Sequence, residues 1–164
     1  MRNKSVLMKK MTALAMALMF LFASSVTRVE AAPTQDLTPQ QIEAVLEEVF
    51  AALVAFDVPR IMNHFAADAV VEDPVGTPPM HGTQAITAYL ETFPTLFNQM
   101  KLYSLDIKPG GQEAGVKWRL RFTTKSAHVF FLEGIGHFRF NQDGKIQHEK
   151  EFFDLAYFIE QLQK

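Results

Sequence analysis

The sequence predicts an α+β domain, with a strongly curved antiparallel sheet wrapped around N-terminal helices. Three observations predict it. Helical periodicity dominates residues 38–65 and 83–93, and alternation dominates most of residues 101–153. Helices that precede a run of successive strands mark this class. Gly134 and Gly136 stand two apart in the longest strand pattern, where a sheet bends most easily. A sheet curved around helices is a cone, and a cone with an apolar lining has a pocket.

Each element follows from its local sequence. Residues 1–31 stand outside the fold. Arg2, Lys4, Lys9 and Lys10 make a basic start, residues 11–23 are apolar or small apart from Thr12, and Val29-Glu30-Ala31 supplies small residues for cleavage. That is a secretory signal peptide cut after Ala31, with an apolar run too short to span a bilayer. Export to the periplasm or the outside is therefore expected, with no membrane attachment after cleavage. Residues 32–37 read as a tether and 38–164 as one domain.

Thr38, Pro39 and Gln41 form a helix start with a capping box. Ile42, Val45, Leu46, Val49, Leu53 and Phe56 make one apolar stripe behind it. Asp57 and Pro59 open a second helix through residue 65, and a strand follows over 69–73. Thr83 is the expected cap of a third helix, with Ile86, Tyr89, Leu90 and Phe93 on one face and Pro94 stopping or kinking it. Strands are expected over 101–108, 115–124, 128–140 and 145–153. Pro109-Gly110-Gly111 and Asn141-Gln142-Asp143-Gly144 supply turns. Asp154 caps a terminal helix carrying Leu155, Phe158, Ile159 and Leu162.

Composition narrows the function. The chain has no cysteine, so packing alone must hold the domain. Fifteen phenylalanines against one tryptophan and three tyrosines make a core of apolar rings. Removing residues 1–31 takes away five basic side chains and one acidic, leaving a net charge of −6. A mildly acidic domain with no basic cluster is a poor partner for nucleic acid or anionic lipid. No cysteine nucleophile, phosphate loop or metal-ligand spacing occurs, so no cofactor or metal is expected.

The chemistry concentrates at Val70-Val71-Glu72-Asp73-Pro74, where an apolar strand runs into a carboxylate before a proline. Asp73 is either a turn residue or a desolvated proton-transfer base. Glu72 alternates to the other face. Glu149, Glu151 and Phe153 share one face of the last strand. The two glutamates are either solvated on a twisted edge or inside, where they form an additional acid/base pair near Asp73. Tyr89 and Tyr103 are the candidate hydroxyl donors, with core packing the plainer reading of both. His64 reads as structural and His81 as loop packing. His128, His137 and His148 read as surface residues, and Arg119 and Arg121 as part of the outer sheet face.

These motifs resemble the NTF2-like superfamily, within it the ketosteroid isomerase and SnoaL-like group. The resemblance is carried by Phe56-Asp57-Val58, by Phe65-Ala66-Ala67-Asp68-Ala69-Val70-Val71-Glu72-Asp73-Pro74, by Pro78-Pro79-Met80-His81-Gly82 and by Phe138-Arg139-Phe140-Asn141-Gln142-Asp143-Gly144-Lys145-Ile146. It covers the whole of residues 38–164. It implies a cone-shaped fold, a homodimer, a small hydrophobic ligand of steroid or polyketide type, and Asp73 as a base that moves a proton between carbons. It implies a pocket lined by Val49, Leu53, Phe65, Tyr89, Trp118, Leu120, Phe138 and Phe153. The family's two oxyanion donors, a tyrosine and a protonated aspartate, align with Val49 and Gly136, which donate nothing from a side chain. The superfamily's Asp-Arg-Asp epoxide hydrolase pattern has no counterpart here. Two readings follow: a steroid delta-isomerase-like enzyme, or a binding or protein-interaction module of the same fold.

Overall fold

The computed structural model describes residues 36–164. The expected signal peptide and most of the expected tether lie outside the described residues. The last tether residue belongs to the fold. Leu37 donates its N–H to Gln112 Oε1 at 3.1 Å and accepts from Gln112 Nε2 at 3.2 Å.

Helix α1 (Pro39–Val54) starts as its sequence dictates. Thr38 Oγ1 accepts from the Gln41 N–H at 3.3 Å, and Gln41 Oε1 accepts from the Thr38 N–H at 2.8 Å. Ile42, Leu46, Val49 and Phe50 form its buried stripe. The short α2 (Val58–Met62) is capped by Asp57 Oδ1, which accepts from the Arg60 N–H at 3.2 Å.

The second helix stops three residues earlier than expected, and β1 (Phe65–Glu72) begins four residues earlier than expected. The last strand causes this. Phe65 pairs with Ile146, whose N–H donates to the His64 carbonyl at 2.7 Å. Phe65 and Ala66 are buried by that pairing, which outweighs helical continuation. The two-residue β2 (Met80–His81), which was not expected, pairs antiparallel with β1. Two residues are too few to show a period.

Helix α3 (Gly82–Leu90) has His81 at its N-cap with no side-chain hydrogen bond, so Thr83 is not the cap. Gly82 turns the chain into the helix at φ 76°, a conformation open to glycine. Phe93 does not continue α3. It opens a separate turn, α4 (Phe93–Leu96), where Pro94 sits in the first turn, whose N–H groups have no partner within the helix.

The long strands are β3 (Phe97–Gly110), β4 (Glu113–Thr124), β5 (Val129–Phe140) and β6 (Ile146–Phe152), followed by α5 (Leu155–Leu162). The sheet order is β2-β1-β6-β5-β4-β3. Every pairing is antiparallel except β1 with β6, which is parallel and corrects the wholly antiparallel expectation. The chain leaves β1, makes two helices and four strands, and returns in the same direction. A parallel pair needs such a long crossover.

Trp118, Leu120 and Phe122 of β4, with Phe130, Leu132 and Phe138 of β5, form the buried face under the helices. Phe50 of α1 meets Phe138 edge-on at 6.4 Å. In β3 the register shifts between Leu102 and Ser104, leaving Tyr103 outside the ladder. Tyr103 is 58% exposed and packs on Phe131 of the outer face at 4.9 Å, so it is neither core nor a donor to the pocket.

Candidate functional site

The helices and the concave face of the sheet enclose a cavity of about 90 Å³, room for several waters. Val49 and Leu53 reach it from α1 and Tyr89 from α3. Phe65, Trp118, Leu120 and Phe138 reach it from the strands, and Phe153 from just beyond β6. The structure thus brings all eight residues expected at a pocket around one cavity, together with Asp73, Glu149 and Glu151. Phe93, Phe153 and Phe158 are only partly buried beside it. A multi-ring ligand would enter by moving these rings.

Among the described residues, the oxygen- and nitrogen-bearing side chains of this cavity belong to five residues. Asp73 lies one residue past β1, and the Tyr89 hydroxyl donates to its Oδ2 at 2.9 Å. Desolvation by the apolar wall raises the Asp73 pKa from 3.8 to about 6, against the smaller downward pull of the tyrosine hydrogen bond. Tyr89 stays a phenol, because burial and the Asp73 charge both oppose its ionisation.

Glu149 and Glu151 both line the cavity from one face of β6, Glu151 buried and Glu149 partly so. Glu151 is 5% exposed, and its Oε2 accepts from the Trp118 indole N–H at 2.6 Å. The two glutamates share a hydrogen bond. Burial raises both pKa values, and negative charge on Asp73 and on the neighbouring glutamate pushes in the same direction. Among the described residues, no cationic side chain lines the cavity to offset this.

Two glycines make room for that arrangement. Gly134 stands opposite Trp118, and a Cβ there would lie 2.3 Å from the indole Cζ2. Gly136 stands opposite Glu151, and a Cβ there would lie 2.6 Å from Glu151 Oε1. The strand surface is therefore notched where the indole and the carboxyl lie against it. Where the resemblance aligns an acid with Gly136, the cross-strand neighbour fills the space with a carboxyl of its own.

The remaining candidates lie elsewhere. Glu72 pairs with Lys150 at 2.8 Å, away from the cavity. His137 meets Glu113 at 2.9 Å on the outer face, and Arg119 sits 4.6 Å above the Phe131 ring there. His81 is exposed. His128 is not a plain surface residue, because its Nε2 meets the buried Gln161 Oε1 at 2.9 Å. His64 is half-buried, and its backbone carbonyl anchors β6. Sequence reasoning missed the Trp118–Glu151 bond. The signal was one face of β4 carrying Trp118 and one face of β6 carrying Glu151, but nothing local says which strands adjoin the strand between them.

A family profile described as the SnoaL-like domain matches residues 46–149, more than half of the chain. The chain belongs to the SnoaL-like domain family. The matched region of this SnoaL-like protein runs from α1 through Glu149 and so includes Asp73, Tyr89, Trp118 and both glycines. Solved structures share the NTF2-like fold. A putative polyketide cyclase from Xanthomonas campestris pv. campestris superposes with a TM-score of 0.68 at 16% identity, over 75% of this chain and 97% of that one. An NTF2-like protein of unknown function from Burkholderia pseudomallei K96243 gives 0.66 at 20% identity, over 76% and 98%. SalBIII, an epoxide hydrolase/cyclase-like enzyme of pyran ring formation in the polyether salinomycin, gives 0.62 at 22%, over 71% and 93%.

Proposed function

We propose that this SnoaL-like protein moves a proton at a carbon beside the carbonyl of a small hydrophobic ketone, in an isomerase- or cyclase-type reaction, with Asp73 as the base. The observation that carries the reading is Asp73 itself. It is a carboxylate at the wall of an apolar cavity, held by one hydroxyl, with a pKa near neutrality. A base is most effective when its pKa lies close to the working pH. The aromatic and aliphatic lining suits a flat ring system of steroid or polyketide type, and the polyketide cyclase and pyran-forming neighbours support that substrate class.

The test is conversion of a β,γ-unsaturated ketosteroid to its conjugated isomer, followed by ultraviolet absorbance, alongside an aromatic polyketide-like diketone. Asp73→Asn should lower kcat by about 10²-fold or more, the range of a lost general base. Full turnover in that variant would remove the base from the reading. Tight ketone binding with no turnover would favour the second reading, a binding module, which the apolar Val49 on the cavity wall supports.

Two features of the whole protein complete the proposal. The basic start and apolar run of residues 1–31 support export to the periplasm or the outside, so the mature chain should begin at Ala32 on N-terminal sequencing. Ile135 and Phe152, register partners that are 57% and 47% exposed, support a homodimer through the outer sheet face, to be read by sedimentation.

A further inference from the structure

We propose that Glu149 is the proton donor of this site, giving its carboxyl proton to the carbonyl oxygen of the ketone, and that Glu151 is its positioning residue. The inference rests on the reading of Asp73 as base and names the group that receives the charge the base creates.

Elimination among the cavity's polar groups leads there. A developing enolate oxygen needs a donor in a site that excludes water. The Tyr89 hydroxyl is committed to Asp73, and the Trp118 indole N–H is committed to Glu151. Glu151 in turn hydrogen-bonds Glu149. Hydrogen bonds therefore run in one direction, from indole to Glu151 to Glu149. Among the described residues lining the cavity, the O–H left for a ligand is the Glu149 carboxyl. Burial beside two other carboxyls keeps it protonated at neutral pH. A chain of aligned bonds strengthens its last donor. The geometry stands on two fixed points, the notch at Gly136 and the indole lodged over Gly134.

The step balances as follows. Asp73 takes a proton from the carbon beside the carbonyl. The C–H pair becomes a C=C bond, and the C=O π pair moves to oxygen, which takes the proton of Glu149. The product of this half is a neutral enol. In the second half the enol proton returns to Glu149, and Asp73 returns its proton to a conjugated carbon, which isomerises the substrate. If the enol carbon instead attacks a second carbonyl, the O–H pair re-forms C=O as the enol proton returns to Glu149, the C=C pair forms the new C–C bond, Asp73 gives its proton to the new alkoxide, and a ring closes. A ligand with a carboxylate or phosphate at this end would meet carboxyls alone, so the substrate class is a neutral ketone.

Infrared difference spectroscopy with the bicyclic ketone α-tetralone tests the donor without requiring turnover. The bound carbonyl stretch should fall to lower frequency at pH 7 and return towards its free value when Glu149 ionises at high pH. The downshift should vanish in Glu149→Leu, a change of similar shape that leaves no buried charge. It should persist in Glu151→Gln, whose amide still accepts from the indole and donates to Glu149, and weaken in Glu151→Leu. Turnover in Glu149→Leu should fall by about 10²-fold or more, the size of one lost oxyanion donor. An unchanged downshift in Glu149→Leu, or none in the wild type, would overturn the proposal. An active Asp73→Asn beside a silenced Glu149→Leu would overturn the base and leave the donor standing.

Discussion

Asp73 and Tyr89 show how one hydrogen bond sets a working pH. Burial raises the Asp73 pKa to about 6, and the Tyr89 hydroxyl is the one influence holding it from rising further. The carboxylate is the active form of a base, so activity should climb as pH rises through about 6. Tyr89→Phe removes the donor while keeping the ring that meets Phe93 at 5.2 Å. The acidic limb of the rate profile should then move to higher pH, with the plateau rate retained once Asp73 ionises. A limb that stays in place would mean Tyr89 does not govern this carboxyl. Asp73 was legible as a candidate because its position before Pro74 and after an apolar strand is written in adjacent residues. Tyr89 was legible only as a helix-face aromatic. Its partner lies sixteen residues away, and no local pattern fixes a distance across the Pro-rich loop between them.

At the scale of elements, β5 is built around two absences. Gly134 and Gly136 read in the sequence as a place for the sheet to bend, and in the structure they are also where Trp118 and Glu151 find space. Alanine should cost stability at both, but unequally. At Gly134 the new Cβ meets the rigid indole at 2.3 Å and the Phe152 backbone carbonyl at 2.8 Å, neither of which can yield without moving a strand. Gly134→Ala should lose about 2–3 kcal/mol in urea unfolding, the range of an overpacked core. At Gly136 the nearest atoms are the carboxyl end of Glu151 and the ring edge of Phe138, which can turn aside. Gly136→Ala should lose less stability and shift the emission of Trp118, the sole tryptophan, as its carboxyl partner moves. Equal losses at the two positions would contradict this. The helices and long strands were legible because each carries its own period. Four features were not: the start of β1, the two residues of β2, the separation of α4 and the parallel β1–β6 pair. The first and the last are decided by β6, far away in sequence, as when Ile146 captures Phe65; β2 is too short to show a period, and Pro94 signals a break without saying that a new turn opens at Phe93.

At the scale of the whole fold, the described residues keep three carboxyls along an apolar cavity with no cationic side chain among its lining, and this fixes how stability depends on pH. Asp73, Glu149 and Glu151 all have raised pKa values in the fold, so the native state holds protons that the unfolded chain releases. Their contribution is complete below about pH 4. It declines as pH rises through about 6 for Asp73, and further as the glutamates ionise. His64 and His148, whose pKa values are lowered mainly by burial, act in the opposite sense below about pH 6.5. Both are much less desolvated than the carboxyls, so their effect is the smaller. The protein should therefore unfold at a higher urea concentration at pH 5 than at pH 8, the reverse of a domain held by surface ion pairs. Asp73→Asn removes one buried charge and should gain about 3 kcal/mol at pH 8 while losing turnover, since the shift from 3.8 to about 6 is the cost of ionising that group in the fold. Adding Glu149→Gln and Glu151→Gln should flatten the difference between the two pH values. If the wild type were equally stable at both, the carboxyls would be solvated in solution, and neither the base nor its donor would have the environment that this chemistry requires.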